Sequence, residues 1–200
     1  MEISGFTVDD HCISATASTF CGLPLVPFSS VQKVYDPHIY QILIVVGFAE
    51  MNELRDRKYA EAAEKGYSFA SYIHPSMHIH DDVLIDPGCI ILENVTIHPG
   101  SRIGSRTFIS SNVSIGHDCI IKSSNWINSG VSMAGNCVIC EGCFFGVNSS
   151  VADAIHIGAR NIIGANTLIN KNTGENEVHI SEGGQRFPLS SKEFLKFTRG

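Results

Sequence analysis

The sequence lacks what several protein classes require. There is no surplus of positive charge: 14 Lys and Arg stand against 20 Asp and Glu, for a formal net charge of -6. That leaves no electrostatic footprint for nucleic acid or an anionic membrane, and neither is expected as a partner. Long apolar runs are missing too. The longest, ILIVVGFA at Ile42 to Ala49, is far below the roughly 20 residues that span a bilayer. The opening MEISGFTVDDHC has no basic stretch leading into an apolar one, so no secretory signal is expected and the cytoplasm is the expected compartment. Seven cysteines are an odd number, and a reducing compartment does not favour a disulfide framework.

What the chain does have is a repeat. Every sixth residue from Ile73 is bulky and apolar: Ile79, Ile85, Ile91, Ile97, Ile103, Ile109, Ile115 and onward through Ile121, Ile127, Met133, Ile139, Phe145, Val151, Ile157 and Ile163 to Ile169, without a break. Four residues after each sits a second set, mostly small or β-branched, such as Val95, Ser101, Thr107, Cys119, Val131 and Cys137. The position just after each apolar residue favours turn formers, among them Gly104, Gly116, Asn128, Gly146, Gly158 and Gly164, and a positive φ is expected there. Period six with two inward positions is the signature of a parallel β-helix. Three hexads make one triangular coil, so residues 18 apart stack about 4.8 Å from one another.

This frame supplies a reading of CVICEGC. Cys137 and Cys143 take the small inward position on consecutive faces, Cys119 stacks on Cys137, and Cys140 takes a corner. Free cysteine is a good small hydrophobe, whereas structural zinc needs four ligands in paired spacing, so core packing is expected and metal is not. His74, His78 and His80 in YIHPSMHIH fall at corner or outward positions and read as solvated.

The ends have a different grammar. Ile3 to Val8 and Leu23 to Val26 read as strands, Ser29 to Tyr35 as a short helix and Ile42 to Val46 as a buried strand. Asn52 fits an N-cap for a helix over Glu53 to Lys65 ended by Gly66, and Phe69 to Ile73 returns as a strand. Residues 1–71 thus read as a small α/β layer, 72–170 as the β-helix and 171–200 as a loop and helix. Ser190 and Glu193 have capping-box spacing, and the helix they open is expected to cover the exposed end of the prism.

The candidate for chemistry is SIGHDCII. His117 and Asp118 lie between inward Ile115 and Cys119, where a histidine projects from the prism and an imidazole can take a proton from an amine or hydroxyl attacking an acyl group. Asp118 is expected to support it only indirectly, because adjacent strand residues point to opposite faces. Gly135 lies 18 residues on, and its N–H suits a developing oxyanion. A surface His-Asp pair and a turn glycine are the plain alternatives.

SYIHPS, the unbroken hexads, IGHDCII, SGVSMAGNCVI and FFGVNSSV resemble the bacterial hexapeptide-repeat sugar acyltransferases, which include sialic acid O-acetyltransferases and nucleotide-linked amino-sugar N-acetyltransferases. ISGFTVDD and FCGLPLVPF resemble their N-terminal domain. The resemblance implies a left-handed helix, a homotrimer and acetyl-CoA as co-substrate, with no metal. It makes His117 the general base, Asp118 its acidic neighbour and Gly135 the contact to the thioester. It further implies coenzyme contacts at Val147, Asn148, Gly164 and Ala165 and a nucleotide-linked sugar at Asp9 and Asp10. Two departures stand out. Members begin with a strand and a Gly-rich turn of Rossmann type, whereas Met1 to Asp10 starts at what resembles their second strand, as in a truncated domain. Some also carry a second histidine where this chain has Trp126. Acetylation of a sugar amine is the leading expectation. O-acetylation of a sugar hydroxyl, a zinc-dependent hydratase and a non-catalytic trimer are the alternatives.

Overall fold

The structure is a computed structural model that describes residues 2–13 and 18–197. After three N-terminal strands, β1 (Phe6–Val8), β2 (Thr19–Phe20) and β3 (Leu23–Pro27), the chain winds from β4 (Tyr72–Ile73) onward into two-residue strands separated by four-residue corners. They stack into parallel sheets of seven, six and five strands, which form the three faces of a left-handed parallel β-helix. Residues 18 apart pair directly: Phe108 with Trp126, Ser114 with Ser132 and Ile120 with Val138. The first face carries inward Ile91, Ile109, Ile127, Phe145 and Ile163, the second Ile97, Ile115 and Met133, and the third Ile103, Ile121, Ile139 and Ile157. These side chains are at most 2% exposed, and truncating one such isoleucine to alanine typically costs about 2 to 5 kcal/mol.

The corners depart from expectation in an informative way. Positive φ falls three residues after the inward apolar position, at Asn94, Asn112, Asp118, Asn136, Asn148 and Asn166, all between 55° and 60°. Asn and Asp tolerate this region better than other side chains. Gly104 and Gly116, one residue after the inward position, are not in this region and answer to space instead. A Cβ on Gly116 would lie 2.5 Å from the carbonyl carbon of Ala134 in the next coil.

The buried cysteines do more than fill space. Cys119 Sγ donates to the Ala134 carbonyl at 3.2 Å, Cys137 Sγ to Ala152 at 3.1 Å and Cys143 Sγ to Gly158 at 3.2 Å. Ser101 Oγ makes the same bond 15 residues ahead, to Gly116, at 2.8 Å. The small inward position therefore supplies a donor to a corner carbonyl 15 residues ahead. Burial pushes the Cys89 and Cys143 thiols up to about 11. Cys140 is also buried, with Sγ 3.6 Å from His156 Nε2.

The N-terminal unit holds β1 (Phe6–Val8), β2 (Thr19–Phe20) and β3 (Leu23–Pro27), with β3 parallel to β1 and antiparallel to β2. A short 3-10 helix follows at Phe28–Lys33. The strand expected at Ile42 to Val46 reduces to one bridge, Ile42 to Phe69. Beyond it Val45 faces solvent, while Ile44 packs against Tyr59 and Ala62 of α1 (Glu53–Glu64). Asn52 does precede α1, but it has a left-handed backbone and makes no capping bond. Its Nδ2 donates instead to the Ser124 carbonyl at 2.8 Å, tying the helix start to the prism.

Docking of this unit accounts for the outer side of the first face. Phe108 stacks on Trp126 at 4.0 Å between centroids, Phe48 packs on Phe144 at 4.4 Å, and the Arg55 guanidinium lies 5.3 Å from the Trp126 centroid. Trp126 is thus a platform for the chain's own N-terminal unit. Along the edge between the third and first faces, Ser124 Oγ donates to Asp56 at 2.5 Å and Tyr59 donates to the Gly88 carbonyl at 2.7 Å.

At the other end, β21 (Val178–His179) continues the first face beside β19 (Ile162–Ile163). The helix α2 (Ser191–Phe197) has the expected capping box, with the Ser190 N–H and hydroxyl both donating to Glu193 Oε2, at 2.8 and 2.6 Å. It does not cover the prism end: residues 181–196 are exposed throughout. Extending the last sheet by β21 serves that edge instead.

Tyr59 gives a test of the docking. Burial pushes its hydroxyl up to about 12, from 10.0. Its contribution is intact below pH 10 and is lost as pH rises from there through about 12, a span worth roughly 2 to 3 kcal/mol. Tyr59→Phe is expected to cost about 1 kcal/mol at neutral pH. Denaturant titrations at about pH 8 and about pH 11 should show that deficit shrinking or reversing at the higher pH.

Candidate active site

The edge between the second and third faces is built from corners such as Gly116 to Cys119, between β11 (Ser114–Ile115) and β12 (Ile120–Ile121). His117 follows glycine and projects from the edge. Asp118 has φ +55 and so belongs to a turn, not a strand. The turn brings its carboxylate to the same side as the imidazole, with Oδ2 2.8 Å from Nδ1 of His117. The expectation of indirect support is corrected: the strand alternation that motivated it does not extend into a corner. With a carboxylate as partner, Nδ1 carries the proton and Nε2 presents its lone pair.

Two absent side chains make room for the pair. A Cβ on Gly135 would sit 2.5 Å from Nε2 of His117, and one on Gly100 would sit 2.2 Å from Oδ1 of Asp118. The backbone is pinned from both neighbouring coils, with Asp118 N–H donating to Pro99 at 2.9 Å and Asn136 N–H donating to His117 at 2.8 Å. Both side chains remain more than half exposed. The pair therefore lies fixed in a notch that is open to solvent. Gly100 was not singled out from sequence, although its position 18 residues before Asp118 carries the signal.

The fold makes no use of the Gly135 N–H, although Gly135 itself is buried. It occupies the second position after an inward residue, where Pro75, Pro87 and Pro99 also sit. A position that accepts proline needs no N–H for the fold. Among the described residues, the Gly135 N–H has no acceptor within the chain.

The other expected site residues lie elsewhere on the prism. Val147, Asn148, Gly164 and Ala165 occupy the edge between the first and second faces. Gly146 packs tightly there, since a Cβ on it would lie 2.5 Å from the Ala165 nitrogen. Asp9 and Asp10 line an open cleft in the N-terminal unit with Phe28, Ser29, Glu61, Glu64 and Lys65. Asp9 accepts from Lys58 of α1 at 2.6 Å. The Ser29 hydroxyl and N–H hold the Asp10 carboxyl below its ordinary range. Within one chain these three groups are not brought together. Among the described residues no three His, Cys, Asp or Glu side chains form a group that could hold a metal ion, and the side chain of His78 lies outside the described residues.

Residues 76–111 match the family model of the bacterial transferase hexapeptide, six repeats. The match lies within the stretch that carries the period-six pattern. No curated protein matches it. Among solved structures it is similar to a histidine-to-asparagine variant of perosamine N-acetyltransferase from Caulobacter crescentus in complex with CoA and GDP-perosamine, at 23% identity and TM-score 0.76 over 83% of this chain and 78% of that one. It is similar as well to the acetyltransferase domain of PglB from Neisseria gonorrhoeae in complex with acetyl coenzyme A, at 20% identity and TM-score 0.75 over 83% and 80%. WeeI from Acinetobacter baumannii aligns at 16% identity and TM-score 0.74 over 88% and 82%. At these identities the likeness is one of fold.

The two glycines beside His117 should respond differently to alanine. Gly116→Ala drives a Cβ into backbone and should destabilise the protein by about 1 to 3 kcal/mol. Gly135→Ala meets only the tip of the imidazole, so the melting temperature should hold while the His117 ring resonances shift. Thermal melts together with imidazole NMR on both variants check this.

Proposed function

We propose that this protein transfers an acetyl group from acetyl-CoA to an amine of a nucleotide-linked deoxy-amino sugar. The observation that carries the reading is the His117–Asp118 pair held at 2.8 Å beside the unused Gly135 N–H. The shared fold with perosamine N-acetyltransferase and the PglB acetyltransferase domain supports it.

The chemistry follows from the geometry. Asp118 accepts from Nδ1–H and holds the ring, so Nε2 takes the proton of the neutral amine as its nitrogen attacks the thioester carbonyl. The carbonyl oxygen becomes an oxyanion, to which the Gly135 N–H donates. Collapse breaks the C–S bond, and the imidazolium returns its proton to the departing thiolate. No covalent acyl-enzyme and no metal is required.

A homotrimer is part of the proposal. The base lies on the second–third edge and the expected coenzyme residues on the first–second edge. The N-terminal unit lies against the first face and the third–first edge. Different edges of one prism diverge, so groups on them form one site only when edges of adjacent copies face each other. Closed threefold symmetry supplies such a heterologous contact.

Released CoA is followed with GDP-perosamine, other nucleotide-linked amino sugars and sialic acids as acceptors. Wild-type turnover is expected with an amino sugar, and His117→Ala is expected to lower kcat/KM by about 10²- to 10⁴-fold in a protein that keeps its fold and assembly. Turnover only with sialic acids would make the reaction O-acetylation. An intact assembly without turnover on any acceptor would overturn the acetyltransferase reading.

A further inference from the structure

From Gly88 to Asn166 the residue three places after each inward one has a left-handed backbone, and its identity follows a rule with one exception. It is Gly, Asn or Asp, or else a residue whose side chain is anchored: Ser124 and Arg106 to Asp56, and Arg160 to Asn176. The exception is Ala154, at φ +57. Its Cβ is crowded there and brings no polar contact in return, whereas glycine or asparagine would relieve the backbone. Fit to the neighbouring coil does not account for the choice. Asparagine stands one coil from asparagine at Asn94 and Asn112 and again at Asn148 and Asn166, so it could stand equally well above Asn136. Side chains at this position reach over the preceding coil: Asp118 Oδ1 fills the place that a Cβ on Gly100 would take, and Asn148 Oδ1 does so at Gly130. A longer side chain at Ala154 would therefore lie over Asn136. That coil is the one His117 faces, because the tip of its ring, Nε2 included, lies over Gly135. Ala154 N–H donates to the Gly135 carbonyl at 2.9 Å, and exposed Asn136 and Asp153 flank the same space.

From this exception we infer that Ala154 is a positioning residue for the acyl donor, kept short so that the thioester arm can reach Gly135 and Nε2 of His117. The inference rests on the acetyltransferase reading. In that reading the reacting carbonyl lies over Gly135, and the chain behind its sulfur must leave the notch. Nε2 leans toward the C-terminal side, so the coil that carries Asp153 and Ala154 borders the space the arm needs. The donor is the substrate concerned, because its carbonyl must come to the Gly135 N–H, whereas the attacking amine needs only Nε2. An asparagine reaching from Ala154 toward Asn136 would occupy the arm's place. A strained backbone retained beside a site that needs clearance is stability given up for access.

Two replacements relieve the same backbone and differ in bulk. Ala154→Gly and Ala154→Asn should both melt about 1 to 4 °C above the wild type. Their kinetics should part. With GDP-perosamine, or whichever amino-sugar nucleotide the wild type uses best, the acetyl-CoA KM of Ala154→Asn should exceed that of Ala154→Gly about fivefold or more, while their acceptor KM values stay within about twofold of each other. Calorimetric titration with CoA alone should show the same gap in Kd. Equal CoA affinities in the two variants, a gap in the acceptor KM instead, or a lower melting temperature in both would overturn the inference and leave the acetyltransferase reading in place. A wild type that neither binds CoA nor turns over would remove both. Light scattering checks that each variant keeps the wild-type assembly, so that like is compared with like.

Discussion

The interaction on which the rest depends is the backbone rung. Ser114 N–H donates to Val131 and Gly116 N–H to Met133, each 17 residues ahead, and the same step recurs along the prism. A rung holds only if every coil has the same circumference, which forces bulky inward residues at intervals of six and leaves no space for a Cβ at the tightest corners, such as Gly104, Gly116 and Gly146. It also leaves corner carbonyls that point at the small inward side chains. Cys119, Cys137, Cys143 and Ser101 answer that need by donating to them, so the composition of the small position follows from the accounting of buried polar groups.

The notch around His117 is a product of the same frame. An exposed His-Asp pair in a loop would sample many geometries, whereas here both neighbouring coils hold the backbone and two glycines set the space. Such fixed placement is what the proposed general-base role demands. The N–H that the corner geometry leaves free is the other half of the arrangement. A position that can be proline in one coil can serve a ligand in another.

Much of this was legible in the sequence because the signal repeats. Each inward isoleucine is tested against many others at fixed spacing, so the faces, the stacking of residues 18 apart and the projection of His117 from the prism could all be read. What could not be read depended on single conformations. Nothing in a hexad says that the left-handed residue is Asn94 or Asp118 and not Gly104 or Gly116, since glycine also serves close approach. The direct Asp118 contact follows from that one φ. The segment around Ile44 reads as a strand by composition, but only Ile42 finds a ladder partner, and helix packing claims the rest. The docking roles of Asn52 and Trp126 involve partners some 70 or more residues away, which local patterns do not encode.

Closure at three hexads per turn also governs how such a chain can change in length. Adding or removing six residues would turn everything downstream by one face, carrying the His117 corner to another edge and the first-face aromatics away from the N-terminal unit. Adding or removing 18 would only make the prism taller or shorter. Lineages of this protein should therefore differ along the prism by whole turns, with other length changes confined to loops and ends. The number of coils between the N-terminal unit and His117 then acts as a ruler that fixes the distance between the Asp9–Asp10 cleft and the His117 notch.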